Sequence, residues 1–339
     1  MYPPSKCAHV AADSIPTPAI LLKSVLEPRP NTKPSTRMPA RRKLRYASRY
    51  RKRNGSRRSY GRKKVIRRSR RPARRMSTRS ILNRTSQKKR DNMLSFTNTQ
   101  FDNPFSNDYL QGGAIMRRPV GVILPDEFVY VWNATGRPSD NSAGARGSKI
   151  DTSLRTSESI YAVGLKERIQ LETNNAAPWE WRRICFTSKD DFQEANPDTS
   201  AYFRRTSNGM VRLLRAEQNS TYMMDELFDG ERNSDWLSMI TAPLSRKHYS
   251  IMYDKTRVLR SGNQAGVTHN FKMWHPMRKN IVYKGEQTGE NMVDSAVSVD
   301  GKAGMGNYYV VDIFRKHGVN DDVSTLTFTP EATFYWHEK

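Results

Sequence analysis

Residues 37–90 hold the side chains with the clearest chemical purpose, namely 25 Lys or Arg residues without a single Asp or Glu. Arg outnumbers Lys in this run, and a guanidinium group can donate to two phosphate oxygens at once. Tyr46, Tyr50 and Tyr60 are interleaved with the charges and offer rings on which unpaired bases can stack. The composition therefore predicts binding to the phosphate backbone of a nucleic acid.

The predicted nucleic-acid-binding residues are concentrated between positions 41 and 75. They are Arg41, Arg42, Lys43, Arg45, Arg49, Arg51, Lys52, Arg53, Arg57, Arg58, Arg62, Lys63, Lys64, Arg67, Arg68, Arg70, Arg71, Arg74 and Arg75. A solubilising tail or a nuclear-import signal alone is the alternative, but such signals need only about 5–8 basic residues. Because phosphate contacts carry no base information, we expect binding that tolerates any sequence.

Charge divides the chain into a basic part and a near-neutral part. Residues 1–90 carry 29 basic and two acidic residues, whereas residues 91–339 carry 29 basic and 31 acidic ones. Like charge at this density, with few apolar residues to bury, predicts disorder until a polyanion neutralises it. We therefore expect a Pro-rich leader (1–37), a disordered Arg-rich arm that binds nucleic acid (38–90) and a folded body (91–339).

No arrangement of residues in the sequence predicts catalysis, a metal site or a cofactor. Neither a GxxxxGK[ST] phosphate loop nor an HExxH motif is present. His269 and His275 are expected on one face of a strand, about 20 Å apart, which is too far for a shared metal ion. Two cysteines, Cys7 and Cys185, give no disulfide framework and favour a reducing compartment. A run of 18 apolar residues is also missing, so we expect no membrane partner.

Charged and aromatic residues of the body leave some alternatives open. An acidic cluster could hold a divalent cation, but its spacing does not match a calcium loop, and a solvated helix end is favoured. Three Arg pairs could each direct one side chain to a nucleic acid, or they could pair with the acids of the body. The six Trp residues are expected to be core or interface anchors. The cluster is Asp225, Glu226, Asp229, Glu231 and Asp235, and the pairs are Arg117-Arg118, Arg182-Arg183 and Arg204-Arg205.

Alternating hydrophobicity in the body predicts β-strands. Residues 159–172 alternate for about 14 residues, which is typical of a half-buried strand. Residues 127–132 (Glu-Phe-Val-Tyr-Val-Trp) have apolar residues on both faces, so this strand should be covered on both sides. The apolar face of the longer strand is expected to comprise Tyr161, Val163, Leu165, Ile169 and Leu171.

The remaining strands and a single helix complete the predicted body. Alternation predicts strands at 249–253, 267–273 and 309–313 and in the C-terminal run 325–336, where Pro330 indicates a bulge or an edge position. One short helix is expected at 221–229, capped by Ser220 and ended by Gly230. Many strands and few helices are typical of an all-β fold, an antiparallel sandwich or jelly roll.

Four motifs, three in the arm and its end and one near the C-terminus, carry a family resemblance. They are Arg67-Arg68-Ser69-Arg70-Arg71, residues 76–83 (MSTRSILN), residues 88–98 (KKRDNMLSFTN) and residues 326–336 (LTFTPEATFYW). With these motifs the chain resembles the capsid proteins of genomoviruses, small circular single-stranded DNA viruses related to geminiviruses. The resemblance covers about residues 38–339.

The resemblance implies a fold, partners and a location. An antiparallel eight-stranded jelly roll would assemble into a small icosahedral T=1 shell of about 60 copies, with the arm inside on the single-stranded DNA genome. A nuclear localisation signal in the arm would recruit a nuclear import receptor, so the protein is expected in the virion and in the host nucleus. In contrast to geminiviruses, two cysteines cannot build a Cys/His zinc-finger-like set, and no metal site is carried over.

Charge arithmetic gives a separate expectation about the genome. About 60 arms would carry about 1,600 positive charges, which suits a single-stranded genome on the order of 2,000 nucleotides if arm cations displace DNA counterions. The alternative function is a host nucleic-acid-binding architectural protein with a β-sandwich interaction domain. The two differ in size, since a capsid protein sediments as a megadalton shell and a host factor as a small oligomer.

Overall fold

The computed structural model describes residues 76–101, 103, 106, 108–117, 127–189, 202–217, 222–318 and 323–339. Within these ranges the chain forms two helices, α1 (Thr78–Thr85) and α2 (Tyr222–Leu227). Neither helix is long and apolar enough to cross a membrane. The strands in the same ranges are β1 (Gln87–Met93), β2 (Ser95–Thr97), β3 (Leu110–Gln111), β4 (Ala114–Met116), β5 (Glu127–Asn133), β6 (Ser159–Thr173), β7 (Trp179–Ser188), β8 (Arg205–Thr206), β9 (Gly209–Met210), β10 (Arg212–Leu214), β11 (Ala216–Glu217), β12 (Ser250–Leu259), β13 (Val267–Thr288), β14 (Asn291–Ser298), β15 (Asn307–Lys316) and β16 (Leu326–Glu338).

Two antiparallel sheets dominate this part of the chain. The first sheet has the strand order β1-β16-β6-β13-β14, with β4 also paired to β16. The second sheet has the order β11-β5-β15-β7-β12. All neighbouring strands in these two sheets run antiparallel. The prediction of an all-β, antiparallel body is confirmed.

The two sheets bury a shared aromatic core. Trp181 of the second sheet stacks on Phe314 at a centroid distance of 6.0 Å and contacts Phe271 and Phe328 of the first sheet. A second cluster joins Trp132 and Val310 of the second sheet to residues of the first sheet. Burying one large apolar side chain stabilises the fold by about 1.5–3 kcal/mol, so the inner faces hold the sheets together as a β-sandwich.

The second sheet is covered on its other face as well. Strands β5 and β15 are buried at almost every position. Val131 and Ile313 on the outer face pack against Leu227 at the end of α2 and against Trp236 in the following loop. The prediction that residues 127–132 are covered on both sides is therefore confirmed. Helix α2 is also confirmed, with Gly230 just beyond it in the left-handed region at φ +88°. The predicted cap, Ser220, lies outside the described residues.

The predicted apolar face of β6 is right in its second half and wrong in its first half. Leu165, Ile169 and Leu171 are buried as expected, but Tyr161 and Val163 are only half-buried. A bulge in β6 causes the difference. Both neighbouring strands, β13 and β16, pair with Gly164 and then with Ala162, so Val163 is left out of both ladders. One extra residue inverts the side-chain alternation.

The predicted boundary between arm and body, at residue 90, lies too late in the sequence. Residues 78–85 form α1, with Ser77 accepting a hydrogen bond from the Ser80 amide at 3.3 Å, and β1 begins at Gln87. The basic side chain of Lys89 is 3% exposed and lies 3.2 Å from the Glu338 carboxylate. A buried partner therefore allows part of the basic run to enter the sheet, so residues 76–90 are not a disordered segment.

Pro330 does not interrupt β16. The register between β16 and β6 continues through Pro330 opposite Ile169, and the bulge of this pair lies instead between Tyr335 and Trp336. On its other side β16 pairs with β4 at residues 326–328 and with β1 at residues 332–338. Among the described residues, Pro330 therefore has no ladder partner on that side of the strand, so the edge alternative is confirmed locally and the bulge alternative is wrong.

Candidate nucleic-acid interface

The nineteen basic residues predicted to bind nucleic acid, Arg41 to Arg75, lie outside the described residues. The described chain begins at Met76, directly after the last of them. A candidate site in the body must therefore be found among the residues that the structure describes.

The outer face of the first sheet forms a cationic surface. Side chains alternate there between the buried core and solvent, and the exposed positions of β1, β6 and β13 carry basic residues. Three of these cations, Lys166, Arg168 and Lys272, are neighbours in the sheet register, and two more lie on the same face on β1, two strands from β6. None of the five forms an ion pair with a described residue. We call this surface the cationic face; its basic residues are Lys88, Arg90, Lys166, Arg168 and Lys272.

The placement of charges on the cationic face costs stability in the free protein. Arg168 is directly opposite Lys272 on the neighbouring strand, and Lys166 is two residues away on the same side. Like charges directly opposite each other destabilise a sheet. Glu331 lies opposite Arg168 on its other side but forms no ion pair with it. An anionic ligand would relieve this repulsion, and the regular spacing along two strands suits a polyanion.

Aromatic rings lie on the same face. Trp274 is 47% exposed, although it is a large apolar residue. Its ring lies across Gly164, where an added Cβ would be 2.7 Å from a ring carbon, and 5.9 Å from the ring of Tyr335. The absence of a side chain at Gly164 thus lets the indole lie against the sheet. Exposed rings among cations are the combination that binds single strands, because bases stack while cations hold phosphates.

The remaining Trp residues follow the prediction that they anchor the core. Trp132, Trp179, Trp181 and Trp336 are almost completely buried, and Trp236 is 7% exposed. Trp274 is therefore the exception in the set and the one available to a ligand.

Three residues of the Arg pairs bind acids, whereas Arg117 and Arg204 lie over the rings of Phe101 and Tyr109. Arg182 binds Asp254 through two hydrogen bonds of 2.9 Å, and Arg183 binds Asp312 on the opposite face of the sheet. Arg205 pairs with Asp140 at 3.4 Å. The ion-pair alternative is confirmed for these three residues. Arg118 lies outside the described residues.

The acidic cluster does not converge on a common point. Glu226 accepts a hydrogen bond from the Tyr249 hydroxyl, and Asp235 accepts one from the Glu231 amide, both at 2.8 Å. Within the described ranges no three His, Cys, Asp or Glu side chains are arranged to hold a metal ion. His269 and His275 lie on the same side of β13, as predicted.

A buried ionic network fixes the two sheets to each other beneath the cationic face. Glu167 of β6 is completely buried and accepts hydrogen bonds from Arg183 at 2.6 Å and Arg212 at 3.2 Å. Asp312 of β15 binds the same two guanidinium groups. Charges in such a low-dielectric site are tolerated only when each is paired and hydrogen-bonded.

The network also sets the protonation of His275. Burial opposes ionisation of Glu167, but Arg183, His275 and Arg212 outweigh it and hold the pKa of that carboxyl well below its usual value. His275 lies 3.6 Å from Glu167. Burial alone would lower the pKa of His275, but Cys185 and Glu167 outweigh burial and raise it to about 9. The imidazole is therefore charged at neutral pH and adds to the network.

Sequence reasoning missed both the cationic face and the network. Lys166 and Arg168 alternate with the predicted apolar face of residues 159–172, but their proximity to Lys272 and Trp274 depends on how β13 pairs with β6. One local signal was present for the network, because Glu167 is a carboxylate in the apolar register of a strand.

Comparisons with known proteins add little to this picture. No family model and no curated protein matches the chain. Among solved structures, the chain is similar to an unassembled VP1 pentamer of Washington University polyomavirus carrying a point substitution, with a TM-score of 0.11 and 7% sequence identity over 75% of this chain and 94% of that chain. A similarity this low carries no argument about fold or function, and the genomovirus resemblance stays a prediction.

Proposed function

We propose that the chain is a structural, non-enzymatic capsid protein whose body is an eight-stranded jelly roll that self-assembles into a small icosahedral shell. Its Arg-rich arm packages circular single-stranded DNA inside the shell and carries the nuclear localisation signal. The protein would then be found in the virion and in the host nucleus. The observation that carries the proposal is a closed β-sandwich attached to a polycationic segment.

The strand order supports the jelly roll. The strands β1, β5, β6, β7, β12, β13, β15 and β16 may be lettered B to I in chain order. The first sheet then contains B-I-D-G and the second sheet C-H-E-F. The four pairs B–I, C–H, D–G and E–F are each hydrogen-bonded and antiparallel. This arrangement is what results when one long antiparallel hairpin is rolled into two sheets.

The distribution of charge supports genome packaging. The arm precedes the described chain in the sequence, and the cationic face includes Lys88 and Arg90 of β1, the first strand that follows it. A strand of nucleic acid bound by the arm is therefore tethered by the chain itself to the strand that carries these two cations. Binding that depends on phosphate charge should weaken steeply with salt.

Deletion of residues 38–75 tests the role of the arm. We expect the deleted protein to keep its folded body, since the first sheet begins after this segment, and to lose its packaged DNA. The DNA content of purified particles, measured by the ratio of absorbance at 260 and 280 nm and by sedimentation, checks this. Full particles with normal DNA content would refute the role of the arm.

Particle size separates this proposal from a host architectural protein. A shell of about 60 copies of a 39.1 kDa chain has a mass of about 2.3 MDa. A host factor with a β-sandwich interaction domain would sediment as a small oligomer bound to nucleic acid.

A further inference from the structure

A groove of about 1210 Å³ lies between α1 and the adjoining end of the cationic face. Ser77, which caps α1, and Ser80 and Asn83 of α1 line one wall. Residues of three strands line the other wall, among them Tyr161 of β6 and His337 of β16. The groove therefore joins hydroxyl and amide groups on one side to aromatic rings on the other.

The aromatic wall of the groove is a paired surface. The rings of Tyr161 and His337 have centroids 6.1 Å apart and planes inclined by 36°. Both side chains are half-buried, so part of each ring remains accessible. Burial and, second, the charge of Lys88 lower the pKa of His337. A neutral imidazole beside a phenol offers a flat apolar surface of the kind on which a base stacks.

A strained basic residue also lines the groove. Arg278 has φ +53°, in the left-handed region that non-glycine residues rarely adopt, and lies in the bulge between Pro276 and Lys279. Its side chain is exposed, lines the groove and forms no ion pair or hydrogen bond with a described residue. Residues held in such conformations cluster at ligand sites, and a free guanidinium suits a phosphate.

We propose that this groove binds an unpaired nucleobase together with its phosphate, and that it gives the body a preference for single-stranded over double-stranded nucleic acid. This inference rests on the proposed function, and it assigns part of the protein's preference for single strands to the body. Tyr161 and His337 stack on the base, Ser80 and Asn83 contact its edge, and Arg278 holds the phosphate.

A duplex cannot offer the same contacts. Its bases are stacked on both faces and paired along their edges, so a base must leave the helix before it reaches the rings. The arm, in contrast, binds phosphates of either form. The described chain begins at Met76, and the next residue, Ser77, lines the groove. A nucleic-acid strand bound by the arm is therefore tethered to the groove at a high effective concentration.

The test compares binding of the full-length protein to a 30-nucleotide single strand and to the matching duplex at several salt concentrations. We expect wild type to favour the single strand, and the variants Tyr161→Ala and His337→Ala to lose about tenfold in affinity for the single strand, as for one base stacked on an aromatic ring. Affinity for the duplex should stay unchanged. Phe101→Ala, which removes a ring that is 54% exposed and does not line the groove, is the matched control and should keep the preference.

Two further measurements keep the proposal falsifiable if an aromatic variant folds poorly. Arg278→Gly removes the cation while permitting the left-handed backbone, and it should weaken single-strand binding by several fold without loss of thermal stability. Photo-crosslinking of a single strand that contains 5-iodouracil should label Tyr161 or His337. Crosslinks confined to other residues, or an equal loss for single strand and duplex in every groove variant, would overturn the proposal.

The outcomes also separate this inference from the proposed function. A wild-type protein that binds both forms equally, with steep salt dependence, would leave packaging intact and overturn the groove assignment. A wild-type protein without salt-dependent binding to either form would overturn both.

Discussion

Replacing Glu167 with Gln should be among the most destabilising single changes in the body. The carboxylate is completely buried and lies 2.6 Å from Arg183, 3.2 Å from Arg212 and 3.6 Å from His275. Gln preserves the volume but leaves Asp312 to neutralise both guanidinium groups. Removing one partner from a buried ionic network costs about 3–5 kcal/mol, and we expect a loss of this size in the free energy of unfolding.

The pH dependence of stability gives a second readout of the same network. The pKa of His275 is about 9 in the folded protein and about 6.5 in an unfolded chain. Its contribution to stability is therefore complete below pH about 6.5 and is lost as the pH rises toward 9, which amounts to about 3 kcal/mol over that interval. Without the Glu167 carboxylate the pKa of His275 falls, so this pH-dependent loss should shrink in the variant.

Urea denaturation followed by tryptophan fluorescence measures both effects, because Trp181 donates a hydrogen bond to Asp312 within the network. Wild type and Glu167→Gln should be compared at pH 6, 7.5 and 9. Glu172→Gln, an exposed position on the same strand, is the control and should change stability by less than about 0.5 kcal/mol. Equal losses for the two variants, or the same pH dependence as wild type in Glu167→Gln, would refute this reasoning.

Three further predictions concern the first sheet. Gly164→Ala places a Cβ 2.6 Å from the backbone carbonyl oxygen of His275 and 2.7 Å from a ring carbon of Trp274, so we expect a loss of about 1–3 kcal/mol in thermal or urea unfolding and a shifted tryptophan emission. Unchanged stability and emission would contradict this packing. Trp274→Ala should weaken single-strand binding about tenfold in a fluorescence-anisotropy titration of the folded variant, and wild-type affinity would exclude the ring from the interface. Lys89→Met should lower the free energy of unfolding in urea by about 3 kcal/mol, because it leaves buried Glu338 without its cation. Lys88→Met, on the exposed side of the same strand, is the control and should cost little. Similar losses for the two variants would contradict the burial of Lys89.

Local patterns were sufficient to predict six of the sixteen strands in the described ranges, namely β5, β6, β12, β13, β15 and β16. The alternation of Leu165, Ile169 and Leu171 depends only on which side of the strand faces the core, and the structure has the same alternation. The inverted face at Tyr161 and Val163 could not be predicted, because the bulge is fixed by pairing with two strands far away in the sequence.

Counting charges along the sequence gives the wrong boundary for the arm where a basic residue pairs with a buried acid. The basic run suggested that the arm extends to residue 90, yet Lys89 enters the sheet because Glu338, near the other end of the chain, neutralises it. The arm up to Arg75 was predicted from composition alone, and that part of the candidate interface stays a prediction. The cationic face needs the register that places Lys272 opposite Arg168, and a single sequence does not specify that register.

Assembly around nucleic acid is tested most directly by sedimentation velocity and electron microscopy of the full-length protein, with and without single-stranded DNA. A variant in which the nineteen basic residues between Arg41 and Arg75 are replaced by Gln is the control of equal length. We expect wild type to form closed shells of about 2.3 MDa that contain DNA, and the variant to form empty shells or free subunits. A wild-type protein that remains a small oligomer in the presence of DNA would contradict the proposal that this chain builds a capsid.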